Sequence, residues 1–173
     1  MSLYTERTST YAPEEGDYTV NTEQTVSTAL AALALGSVFT FDDLVGAMQD
    51  RRQRTLRVVE LSDLGDRDGL CAVWLITESE DLVLHAHSDS VLHRQQFVLH
   101  EFAHMFLGHG EGGECLVEEV LLPDIPPHTR GLLLRRQDLD SDSEIAAEYL
   151  ADQLAAAIRG SAFAESRYSE IFG

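Results

Sequence analysis

His100, Glu101 and His104 stand in the order His-Glu-x-x-His within residues 99–106 (LHEFAHMF). Residues four apart on an α-helix lie one turn up and about 40° around, so two imidazoles at this spacing can reach one metal ion. Glu101 is one step on from the first of them. A carboxylate there is badly placed to bind the same ion but can reach a water beside it. Zinc suits two imidazoles, and it lowers the pKa of a bound water to about 7, where a carboxylate can take the proton. The spacing therefore predicts His100 and His104 as metal ligands and Glu101 as the base of a hydrolytic step. The flanking residues sharpen a motif that is short enough to arise by chance. Val98, Phe102, Met105 and Phe106 repeat at helical spacing, as do Leu99, Phe102 and Phe106. Such a helix anchors one face and turns the other to a cleft.

Catalytic zinc sites usually take three protein ligands and leave the fourth position to water. The candidates for the third are His109, Cys115, Glu144 and Glu148, with His85, His87 and His93 upstream. His93 is two turns before His100, about 10 Å along the axis, and cannot share the ion. His109 falls five residues after His104, past the expected helix end, and is expected to point away from the pair. His85 and His87 alternate along an expected strand and read as half-buried strand residues or cleft wall. Cys115 reads as a small buried or loop residue rather than a ligand. Glu144 and Glu148 are four apart on one helix face, with Asp152 on the next turn of the same stripe. One of the two could bind the ion while the other accepts a hydrogen bond from a ligand imidazole. The stripe reads equally as a solvated acidic face, and spacing does not choose.

The elements that must position these residues follow from periodicity and turn chemistry. Residues 1–20 are polar, carry Pro13 and Gly16, and read as a flexible arm. Residues 22–35 are Ala- and Leu-rich and read as a helix stopped at Gly36; a second helix starts at Thr40 or Asp42. Residues 55–61 (TLRVVEL), 70–77 (LCAVWLIT) and 81–87 (DLVLHAH) read as strands, the last two forming an antiparallel hairpin. Residues 88–90 (SDS) cap a helix over 91–107, which Gly108 and Gly110 end. Ser141 or Ser143 caps a last helix over 144–158, ended by Gly160. Residues 109–142 are the least readable, and they join the two helices that carry the ligand candidates. They are therefore expected to border the cleft.

Composition bounds the partners. The chain has 173 residues, 44% of them hydrophobic and 24% charged, enough to bury one real core. Thirty acidic against twelve basic residues give a formal net charge of −18, which argues against nucleic-acid binding. The local basic run of Arg51, Arg52, Arg54 and Arg57 sits at an expected helix end, where the helix dipole favours cations. No apolar stretch approaches the roughly 20 residues of a membrane span, and no leader pattern opens the chain. Cys71 and Cys115 lack paired-ligand spacing. The expectation is a cytoplasmic protein with reduced thiols and no membrane partner.

Two segments, residues 92–109 (LHRQQFVLHEFAHMFLGH) and 143–154 (SEIAAEYLADQL), resemble the ImmA/IrrE family of bacterial metallopeptidase-like proteins. In that family a helical His-Glu-x-x-His, often followed by an apolar turn and another His, precedes a helix of the form Glu-x-Glu-Ala-Asn/Asp/Glu-x-x-Ala. Glu144, Ala147, Glu148 and Ala151 match it, while Ala146 stands where the family often has a second Glu. The resemblance spans about residues 55–158 and is strong at the two motifs. It implies His100, His104 and Glu144 as zinc ligands and Glu101 as catalytic base. Glu148 takes the place of the acid that steadies a ligand in gluzincins. It also implies regulation through a repressor that such proteins cleave or otherwise inactivate.

The expected fold is α+β and zincin-like, with residues 21–173 as a single domain. A small three-stranded, mostly antiparallel sheet packs with N-terminal helices, the His-Glu-x-x-His helix and the C-terminal Glu-bearing helix. The sheet's edge strand could hold an extended peptide by main-chain pairing, and Tyr149 is a candidate oxyanion donor unless it packs inward. The expected function is an intracellular zinc metallopeptidase with a narrow protein substrate, a transcriptional repressor or antitoxin-like partner. The alternative is a zinc-binding regulatory or toxin-antitoxin interaction protein without proteolytic turnover.

Overall fold

A computed structural model of the chain describes residues 15–62, 64, 71–77, 79–109 and 141–172. In chain order the elements are α1 (Glu15–Leu33), α2 (Phe41–Arg52), β1 (Thr55–Leu61), β2 (Ala72–Ile76), β3 (Glu80–Ala86), α3 (Val91–Leu107) and α4 (Ser141–Phe172). The class is α+β.

The helix ends show where local chemistry decides and where packing does. Thr40 caps α2 in a reciprocal box: its hydroxyl accepts from the Asp43 N–H at 3.1 Å, and Asp43 Oδ2 accepts from the Thr40 N–H at 2.9 Å. Ser90 caps α3 by accepting from the His93 N–H, and Gly108 closes it in the left-handed region at φ 73°. Four boundaries differ from expectation, one of them the start of the last helix, which lies at Ser141 and so takes in both serines expected to cap it. The first helix starts at Glu15, inside the stretch read as an arm. It ends at Leu33, with Ala34 at φ 54° taking the left-handed position ahead of Gly36. The last helix runs through Gly160 to Phe172. A Cβ at Gly160 would stand 2.9 Å from Val38 Cγ1, so this glycine serves a close approach of α4 to the α1–α2 connection, not a stop.

The sheet order is β1-β3-β2. The β2–β3 hairpin is antiparallel as expected, with Trp74 opposite Val83, but β1 pairs with β3 in parallel, Val58 opposite Val83. The sheet is therefore mixed rather than mostly antiparallel. The cause is topological: the chain leaves β1 for the far edge, and the hairpin then drops β3 into the gap. Burial follows this order, since every β3 residue from Asp81 to Ala86 is buried while β1 alternates as an edge does. Leu56, Trp74 and Val83 face the helices and join the main core, whereas Val73, Leu75, Leu82, Leu84 and Ala86 form a second cluster on the opposite face.

At one end of the hairpin lies a buried charge. Asp81 is fully buried and takes Arg52 Nε at 2.5 Å, Arg54 Nε at 3.5 Å and the Trp74 indole N–H at 3.4 Å. Arg52 also stacks over the Trp74 ring, Arg51 over Phe106, and Arg57 pairs with Glu80 at 2.8 Å. The basic run thus makes intramolecular contacts that tie the end of α2 to the sheet and to α3, with Arg51 and Arg57 still exposed. A buried carboxylate needs such partners, because an uncompensated charge there would cost several kcal/mol.

Candidate metal centre

α3 is wedged between the sheet and α4. From Val98 to Phe106 all its residues are buried except His100, which is half-buried. Ala103 on α3 and Ala147 and Ala151 on α4 are fully buried, and side chains that stop at Cβ let the two helices approach closely. Gln96 donates to Asp152 Oδ1 at 2.9 Å, which fixes the helices antiparallel. That register brings Glu144, in the first turn of α4, level with His100 and His104.

His100 Nε2 and His104 Nε2 stand 3.0 Å apart. Glu144 Oε2 is 3.4 Å from the first, and Glu144 Oε1 is 3.5 Å from the second. Donor atoms about 2.0–2.1 Å from a tetrahedral ion stand about 3.3 Å from one another, so the three separations have the size of one coordination face. Two imidazole lone pairs do not face each other at 3.0 Å unaided; a proton or a cation has to lie between them. Glu144 Oε1 is buried and makes no hydrogen bond, an acceptor left for a ligand that is not a protein donor. His100, His104 and Glu144 could thus hold a metal ion, and they form such a group among the described residues.

The other sequence candidates fall elsewhere. Glu101 is 7% exposed, a buried carboxylate beside His100 on the same helix. Glu148 is exposed one turn along α4, and among the described residues no hydrogen bond joins it to either imidazole. Ala146 is buried. Tyr149 is 38% exposed on another flank of the helix from Glu144. His85 is buried with Nδ1 3.0 Å from the Ala86 carbonyl, His87 pairs with Glu60, and His93 stacks on Phe97. None of these three belongs to the group. Cys115 lies outside the described residues, as does most of the segment expected to border the cleft.

His109 corrects the sequence reading. It does not point away. Gly108 reverses the chain, the His109 N–H donates to the His104 carbonyl at 3.0 Å, and His109 Nδ1 comes to 2.9 Å from His104 Nδ1. The two rings are tilted with centroids 5.2 Å apart. Because His109 meets the nitrogen opposite the one that faces Glu144, it stands behind His104 and outside the group of three. The glycine was the signal available in the sequence, since a left-handed residue turns the next side chain back over the helix end.

Searches of protein-family models, curated proteins and solved structures bring no match to this chain. No helix among the described residues is long and apolar enough to cross a membrane.

Proposed function

We propose that the chain is a zinc metallopeptidase of the ImmA/IrrE type with a gluzincin-like site, acting on a narrow protein substrate. The observation that carries this is the convergence of His100, His104 and Glu144 on one point, with Glu101 nearly buried beside them. Zinc bound there would polarise a carbonyl and bring the pKa of a water to about 7. Glu101 takes the proton from the attacking water and returns it to the leaving amide nitrogen. One water is consumed, one C–N bond breaks, and the carboxylate ends as it began. The edge strand β2 packs beside α3, so an extended peptide paired along that edge would run past the ligands. The net charge of −18 favours a basic partner, such as the DNA-binding face of a repressor.

The test is incubation of the zinc-loaded protein with the product of its neighbouring gene and with casein, alongside Glu101→Gln. Glu101→Gln should retain about one equivalent of zinc and lose turnover, because an amide cannot take the proton. Limited cutting of the partner with little casein digestion is the expected result. Vigorous casein digestion would refute the narrow specificity. Equal binding of the partner by wild type and Glu101→Gln, with no cut by either, would replace the peptidase with a non-proteolytic zinc-binding regulator.

A further inference from the structure

Nε2 of His104 faces His100 and Glu144, so for a metal ion to bind, that nitrogen must be bare and the proton must sit on Nδ1. His104 is 2% exposed, and a buried N–H needs an acceptor close by. His109 Nδ1 stands 2.9 Å from it. We propose that His109 is a positioning residue of the metal centre: its Nδ1 accepts from His104 Nδ1–H and holds His104 in the tautomer whose lone pair faces the ion. This rests on the zinc-centre reading and extends it.

The backbone makes the contact by design of the helix end. In a continuing helix a residue five positions on is about 140° around and cannot reach back. Here Gly108 at φ 73° breaks the screw, and the bonds from the Gly108 N–H to the Met105 carbonyl and from the His109 N–H to the His104 carbonyl fix the turn. Most ligand histidines lean on a carboxylate, backbone carbonyl or water. A neutral imidazole in that place orients the ring without adding negative charge behind the ion, so its effect is on geometry and tautomer more than on ligand basicity.

The experiment uses the full chain and zinc alone. Zinc affinity by chelator competition and the ring ¹⁵N shifts of the zinc-loaded protein are measured for wild type, His109→Phe and His109→Asn. His109→Phe keeps a ring without an acceptor and should weaken zinc binding about 10- to 100-fold, the usual loss when the partner of a ligand is removed. His109→Asn, whose side-chain oxygen can accept, should retain more affinity than the phenylalanine variant. In the wild type His104 should carry its proton on Nδ1. Unchanged zinc affinity in His109→Phe overturns the positioning role and leaves the metal centre standing. A wild type that takes up no zinc overturns both. If His109→Phe does not fold, the ring of His109 decides: a proton on its Nδ1 in the zinc-loaded wild type would leave no acceptor for His104 Nδ1–H and overturns the proposal.

Discussion

Glu144 and Glu148 on α4 stand in different relations to the candidate metal centre, and substitution should separate them. Glu144 reaches both imidazoles and has a buried oxygen without a hydrogen bond, so Glu144→Ala removes a donor and leaves two nitrogens facing each other. Zinc affinity should fall by several orders of magnitude. Glu148 is exposed and, among the described residues, touches neither ligand. Glu148→Ala should therefore cost about tenfold at most, the low end of what loss of a ligand's partner costs. Both are read by chelator competition on folded protein. If Glu148→Ala strips the metal and Glu144→Ala does not, the ligand assignment is reversed.

Among the elements, the parallel pairing of β1 with β3 creates a polar latch where the sheet meets α3. It sets Glu60 opposite His85, one pleat from His87. His87 Nδ1 is 2.8 Å from Glu60 Oε1, His87 Nε2 is 3.5 Å from Asp89, and Arg94 Nε is 3.5 Å from Glu60 Oε2. The hydrogen bond to Glu60 raises the His87 pKa above its ordinary 6.5, and the same bond lowers Glu60 below its ordinary 4.5. The signs define a window. The contribution of His87 is complete below 6.5 and is lost as pH rises through its raised pKa. That of Glu60 is complete above 4.5 and is lost as pH falls through its lowered one. The latch is thus whole between 4.5 and 6.5. Both side chains are well exposed, so solvent screening keeps the effect on stability small, and the titration itself is the better measurement. By NMR the His87 ring should titrate above 6.5, and Glu60→Gln should bring its midpoint down. A midpoint that does not move with Glu60→Gln would mean that the contact does not hold in solution.

For the whole molecule, charge sets which partners arrive and how fast. The arginines at the end of α2 pair with Asp81 and Glu80 and lie over the rings of Trp74 and Phe106, and the chain's net charge of −18 already includes them. A basic protein partner should be steered in by this field, and the screening length shrinks from about 30 Å at 0.01 M salt to about 3 Å at 1 M. The association rate with the partner should fall steeply over that range, while turnover of a short uncharged peptide should change little. Stopped-flow association and peptide cleavage at several salt concentrations check this. A partner rate indifferent to salt would remove electrostatic steering from the account.

The residues from His100 to His104 and the stripe from Glu144 to Asp152 were legible because helical spacing is local: a period of 3.6 tells which side chains share a face. The caps at Thr40, Ser90 and Gly108 were legible for the same reason, each set by one or two neighbours. What local spacing cannot carry is the relation between elements. By spacing Glu144 and Glu148 looked alike, and only the family resemblance preferred Glu144; the antiparallel register of α3 and α4, pinned by Gln96 and Asp152, brings Glu144 to the two imidazoles and leaves Glu148 in solvent. Gly160 looked like a helix stop because nothing nearby in the chain reveals that Val38 passes 2.9 Å from where its Cβ would be. The strand pattern of 81–87 showed a buried strand but not its neighbours, since hydrophobic runs do not encode the direction of a partner 25 residues away. Asp81 read as the first residue of a strand, yet folding surrounds it with Arg52, Arg54 and Trp74. Sequence alone determined which side chains could act, because chemistry and period are properties of short segments; tertiary structure decided which of them meet, because contact depends on how distant segments pack.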